Sequence, residues 1–500
     1  MAAMLRGVLS YAFFLAAALG GCFSGLAAAK GHGLRSSDTA QRVSRDLVER
    51  QLLGELKALL GHGASHDRLA RFEELMRPMY RALPKAEGGR IDRAVARYAL
   101  NRFFLTHHGW HIRGIAPDGE RRDAWSSATM LKSKMPTFIM DLLEQQVGHQ
   151  HISLGELSVL VATVEDLVHG QAVGLLRQAY EIHGLSVDQP LASQDEEDLV
   201  LQTFMLYFLL PLTQTALNTS QDIRRYLPQA HVGYPGWNHT MVWLKDVKEG
   251  VKYQDRAQHN PFANNKEYFR EFASMTHLVE KVMDAIGLYQ DIECKELKSM
   301  LMELEDPDLN NGRVPLDKFY GPFLAGTHSF FSESPTYLRH LGTIDDSNPR
   351  RPSAIVSNFM YGRNLCLGAS DTFHSLCCVD HCNVLMESLE RRIAQPMAPP
   401  GVIAQLVAAM PSDTVAAPRT LPGPMLEKLD GIAAHHGGHV PLHGRLFAQW
   451  MHHAYPNECP YPQAAEAPMT HHEFFLHTSS SPSASRDVMQ HLMDLAAEGE

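Results

Sequence analysis

Ser153-Leu154-Gly155-Glu156-Leu157-Ser158-Val159-Leu160-Val161-Ala162-Thr163-Val164-Glu165-Asp166-Leu167-Val168 is the stretch that decides the fold. Ser153 followed three residues later by Glu156 has the form of a capping box, in which each side chain satisfies the other residue's backbone N–H. Leu157, Leu160, Val161, Val164, Leu167 and Val168 then recur at helical spacing. Gly170 and Gly174 weaken the middle of this element and Gly184 is placed to end it. The same signature returns at Ser193 and Glu196, before an apolar run from Leu199 to Leu210. Asn265 to Ile286 reads as a further amphipathic helix stopped by Gly287, with Asp291 to Leu304 as the next. Leu47, Val48, Leu52, Leu56, Leu59 and Leu60 form another such face. Strand signals are sparse, and Ser353 to Met360 is the best of them. The expected class is therefore mainly α.

A chain of 500 residues exceeds most single cores, which points to two domains. Pro396, Pro399, Pro400, Pro411, Pro418, Pro422 and Pro424 break the C-terminal third into short helices. The expected division is a segment 1–29, a helical domain 30–290, a loop-rich, disulfide-stapled helical domain 291–478 and a flexible, Ser-rich tail 479–500. The segment 1–29 has a positive Arg6, an apolar Val8 to Phe23 and a small-residue Ala27-Ala28-Ala29. That is the pattern of a signal peptide, and the uncharged Gly7 to Ala29 is also long enough to remain as an anchor. Leu19-Gly20-Gly21-Cys22 has the form of a lipobox as well. Phe204 to Leu212 is apolar but short for a span, and Pro211 interrupts it. Lys30 to Met135 holds 20 Lys and Arg against 12 Asp and Glu, while the whole chain carries −11. The remaining body is therefore acidic, which argues against a nucleic-acid partner. The expectation is a protein of the secretory pathway, extracellular or tethered through its N-terminal segment.

The chemistry-bearing residues are grouped. Cys294, Cys366, Cys377, Cys378, Cys382 and Cys459 all lie beyond residue 290, an even set suited to three disulfides in an oxidising compartment. Adjacent Cys377 and Cys378 would be strained as a pair, so each should find another partner. In a reducing compartment Cys377, Cys378 and Cys382 would instead read as zinc ligands with His374 or His381. Asn218-Thr219-Ser220 and Asn238-His239-Thr240 are glycosylation sequons. Asp306, Asp308, Asn310 and Asp317 around Gly312 resemble an EF-hand loop, giving a candidate Ca2+ site. The match is incomplete: counting from Asp306 puts Gly312 at position seven instead of six and Asp317 in place of the terminal Glu. The rival reading there is a structural turn. Among 28 histidines, His435, His439 and His443 form a candidate transition-metal set for Zn2+. His435 and His439 are four apart, but Gly437 and Gly438 oppose a helix between them. His107-His108-Gly109-Trp110-His111 has the same HHGxH shape as His435 to His439. No GxSxG, Walker A, GxGxxG or HExxH sequence occurs, so no motif names a catalytic residue.

One block combines Val440-Pro441-Leu442-His443-Gly444-Arg445-Leu446-Phe447-Ala448-Gln449-Trp450-Met451-His452-His453-Ala454-Tyr455-Pro456 with Glu458-Cys459-Pro460-Tyr461-Pro462. With Gly312-Arg313-Val314, Asp317, Phe319, Tyr320 and the cysteines at 366, 377, 378 and 382, it resembles a family of secretory or membrane-associated proteins from dinoflagellate algae. The resemblance covers about residues 290 to 462. It implies a eukaryotic compartment with oxidised thiols, against the lipobox, and carries over no activity or catalytic residue. Three functions are therefore open. The first is a non-enzymatic binding or surface component; the second, a metal-dependent enzyme using the C-terminal histidines; the third, a calcium-responsive binder through the 306–317 loop.

Overall fold

The computed structural model describes residues 66–112, 115, 151–210, 213, 216–258, 270–306, 309, 311–327, 330–367, 374–462 and 469–497. The segment 1–29, the face from Leu47 to Leu60, the helix start expected at Asn265, Asp308 and Asn310 lie outside the described residues. The protein is mainly helical, with short strands serving as ties between helices.

The N-terminal layer is built on helix α1, His66–Ala82, then β1, Ile91–Asp92, and α2, Arg93–His108. Strands β2, Trp110–Ile112, and β3, His151–Ile152, precede α3, Leu154–Ile182. Helices α4, Gln194–Leu209, α5, Trp237–Gln258, and α6, Phe272–Met302, pack into it, with short helical turns between α4 and α5. The capping box at Ser153 is complete: Glu156 N donates to Ser153 Oγ, and the Glu156 carboxylate accepts from Ser153 N at 2.7 Å. Ser193 caps α4 from Glu196 N. Gly184, at φ +66, follows the end of α3 as expected. Helix α3 is long and apolar enough to cross a membrane, but half of that stretch is buried by α1, α4 and α6 packed around it. Leu160, Val161, Val164 and Val168 are fully buried there with Phe104, Phe204 and Ile286. Burial of this kind stabilises by about 25 cal/mol per Å2 of apolar surface.

Gly287 does not stop a helix. The two helices expected around it are one, α6, which runs through it. A glycine ends a helix by adopting positive φ, and Gly287 keeps helical geometry while its missing side chain admits the end of α2. The boundary expected near residue 290 therefore falls inside α6. Its first half enters the N-terminal core through Val279 and Ile286, and Leu301 enters another.

That second core gathers β4, Arg313–Pro315, α7, Leu316–Leu324, α8, Pro335–His340, β5, Ile344–Asp345, β6, Ser353–Ile355, and α9, Val356–Met360. Strand order is β4-β6-β5, all antiparallel, with Val314 opposite Ala354. The strand expected from Ser353 to Met360 gives way to helix at Val356. After β7, His374–Leu376, a third core is built from α10, His381–Ile393, β8, Met397–Ala398, α11, Pro400–Ala408, α12, Gly423–Ala434, β9, Val440–Pro441, and α13, Arg445–Ala454. Strand β7 itself returns to the N-terminal layer and pairs with β2, Trp110 opposite Leu376. Residues 479–497, in the stretch expected as a mobile tail, are docked instead. Helices α14, His471–Thr478, and α15, Arg486–Ala497, fold back on the second core. Ala484 N donates to Ser332 O at 2.8 Å and Met489 is fully buried against that core. Serines that look flexible in composition here supply backbone pairing.

Three disulfides join Cys294 to Cys378, Cys366 to Cys377 and Cys382 to Cys459. Adjacent Cys377 and Cys378 take separate partners, as their geometry requires. All six thiols are consumed, so the alternative of cysteine-bound zinc is overturned.

Candidate metal centre

Helix α2 begins at Asp92, whose carboxylate accepts from Val95 N at 2.8 Å, and ends at Gly109, whose φ of +64 turns the chain into β2. His108 is thus the last helical residue, aimed between α3 and α6. From α3 come Glu165 and, one turn later, His169; from α6 comes Asp284. One ligand atom each from His108, Glu165 and Asp284 lies within 4.8 Å of the others. His108 Nε2 is 3.6 Å from Glu165 Oε1, and His169 Nε2 is 2.8 Å from Asp284 Oδ1. Atoms bound about 2.1 Å from a tetrahedral ion stand about 3.4 Å apart, so small side-chain adjustments close this set around one. Three helices facing one another in a bundle core is a general way to build such a site.

The electrostatics favour a ligand set. Burial draws the His108 pKa down to about 4, leaving a neutral imidazole with a lone pair at neutral pH. Its ring stacks on Trp110 at 4.2 Å, and Nδ1 has no hydrogen-bond partner among the described residues. Burial lifts the pKa of Glu165, although Arg68 donates to its Oε2 at 2.6 Å. That contact fixes the carboxylate and leaves Oε1 facing His108. For Asp284, burial is the largest influence and acts upward, but the hydrogen bond and charge of His169, together with the charge of Lys281 3.3 Å from Oδ2, outweigh it and the pKa is lowered. His169 shifts upward for the same reason, with burial opposing. His169 therefore orients Asp284 as outer-sphere partners orient metal ligands. An imidazole and two carboxylates suit a borderline divalent ion such as zinc; chemically the set can hold the ion and leave one position open.

The histidines singled out by the sequence do not converge. His435 and His439 lie exposed on the turn after α12, where Gly437 and Gly438 take φ +67 and +87. Their Nδ1 atoms meet local backbone carbonyls, Gly431 O at 2.8 Å and Gly437 O at 3.4 Å. His443 lies elsewhere, half-buried, 3.4 Å from the Tyr98 hydroxyl and 3.3 Å from Glu390 Oε1. The three therefore form no common site. In the loop read for calcium, Asp306 pairs with Lys318 and, at 3.2 Å, with Arg351. Asp317 lies 3.4 Å from Arg351. Arg351 comes from the loop before β6, the strand paired with β4, so the carboxylates at both ends of the loop already share a protein cation. Glu305 accepts from Gly312 N at 3.0 Å, and Gly312 sits at φ +72 where a Cβ would meet Pro456 O at 2.7 Å. These contacts make Gly312 a packing requirement independent of any ion. Asn218 and Asn238 are both exposed.

Sequence reasoning noted His108 within its HHGxH run and missed Glu165, His169 and Asp284. A signal was present: Glu165 and His169 are i, i+4 within the apolar helix that starts at the Ser153 capping box, which places a carboxylate and an imidazole in a buried stripe. Comparisons with protein-family models, curated proteins and solved structures found no match to the chain.

Proposed function

We propose that this chain is a metal-binding protein of the secretory pathway, holding one divalent transition-metal ion through His108, Glu165 and Asp284. The observation that carries the reading is the convergence of three ligand atoms from three helices inside 4.8 Å. Zinc is the best-matched ion, because neutral imidazole and carboxylate are among its usual ligands. The disulfides support an oxidising compartment. With the pattern of segment 1–29, they favour an extracellular or membrane-anchored binding or surface component. Calorimetric titration of metal-free protein with zinc tests the proposal. One ion per chain is expected, with affinity at least about 100-fold lower in His108→Ala. Equal affinity in wild type and His108→Ala, or no binding by wild type, would refute it.

A further inference from the structure

We propose that the metal centre is redox-gated: the Cys366–Cys377 disulfide holds His108 in ligand position, and its reduction weakens metal binding. The inference rests on the metal reading above and concerns its regulation.

His108 is followed directly by Gly109, and Gly109 O accepts from Cys377 N at 2.8 Å. Strand β7 ends one residue before Cys377 and pairs with β2 along its whole length. On its other side, Leu376 exchanges two backbone hydrogen bonds with Leu367, at 2.6 and 2.7 Å. The Cys366–Cys377 bridge joins the neighbours of that pair, only 11 residues apart in sequence, and closes the clamp. The next residue, Cys378, is bonded to Cys294 on α6. Cys294 lies ten residues beyond Asp284, about 15 Å along the same helix. A continuous path thus runs from His108 through Gly109, Cys377 and Cys378 to the helix that carries Asp284. The two ligands most distant in sequence are tied through adjacent cysteines.

The two bridges differ in access. In the Cys294–Cys378 bridge Cys294 is partly exposed and Cys378 is buried, whereas Cys366 and Cys377 are both partly exposed. Exposed disulfides are the ones that thiol reagents reach first. Reduction by a dithiol breaks the S–S bond with two electrons. The reductant becomes its own disulfide, and its two protons end on the Cys366 and Cys377 thiols. Without the bridge, β7 loses its covalent tie to the Leu367 segment and keeps its backbone pairing with β2, the burial of Leu376 and the Cys294–Cys378 bond, and the end of α2 gains freedom to move His108 away from Glu165 and Asp284. Metal binding must then supply the ordering entropy itself.

The test uses the full chain with paired substitutions, so that no free thiol competes for metal. Zinc calorimetry compares wild type, Cys366→Ala with Cys377→Ala, and Cys382→Ala with Cys459→Ala as a bridge outside this path. Affinity is expected to fall at least tenfold in the first pair and to change less than twofold in the second. Amide exchange at Gly109 to Ile112, in oxidised and reduced wild type, gives a second measure if the first pair folds poorly; it is expected to rise on reduction. Equal zinc affinity in wild type and the first pair, or unchanged exchange, overturns the gating while the metal centre stands. Absence of zinc binding by oxidised wild type overturns the metal reading and this inference with it.

Discussion

Gly287 sits one turn beyond Asp284 on the face that meets the end of α2. A Cβ built there would lie 1.8 Å from His108 O and 2.7 Å from His108 C. Glycine inside a helix ordinarily costs about 1 kcal/mol relative to alanine, so this residue is retained for the contact. The close approach brings His108 within reach of Asp284. Gly287→Ala should therefore destabilise by about 1–3 kcal/mol, the cost of overpacking, and lower zinc affinity at least tenfold. Gly170, exposed on α3 with nothing within 4 Å of where its Cβ would stand, is the control. Gly170→Ala should be neutral or stabilising by up to about 1 kcal/mol. Urea denaturation of the two variants checks both signs; stabilisation by Gly287→Ala would show that the contact is unimportant.

Between elements, α2 and α10 are joined by a buried ion pair. Arg102 donates to both carboxylate oxygens of Glu390, one at 3.0 Å, and Arg102 Nη2 also reaches Asn383 O at 3.1 Å. Both partners are almost inaccessible. Burial pushes the Glu390 pKa up even beside Arg102, which reflects how strongly the site resists an isolated charge. Glu390→Gln leaves the guanidinium buried without its counter-charge, and should cost about 3–5 kcal/mol in thermal or urea unfolding. A loss below about 1 kcal/mol would contradict this account. None of this pairing was legible in sequence, where Arg102 and Glu390 stand 288 residues apart. Helix starts were legible, because Ser153 and Ser193 declare themselves through neighbours three residues away. Helix ends were legible only where glycine takes positive φ, as at Gly184, and misleading at Gly287, where tertiary contact decides.

Across the whole molecule, the cysteines were the most informative residues, since their number and the adjacency of Cys377 and Cys378 constrain pairing before any fold is known. The histidines were the least informative. Density in sequence singled out His435 and His439, which face solvent, while His108 meets its partners only when three helices close together. The acidic loop is only partly legible for a related reason: spacing shows which oxygens could bind a cation, but Arg351, which pairs with Asp306 and Asp317, arrives from 34 residues beyond Asp317. Zinc binding, as proposed, takes place where α2, α3 and α6 meet. The most direct test is anomalous diffraction at the zinc edge from crystals of zinc-loaded protein. One peak is expected about 2.0–2.2 Å from His108 Nε2 and from an oxygen of each of Glu165 and Asp284. No peak there, or a single peak at the His435–His439 turn, would contradict it.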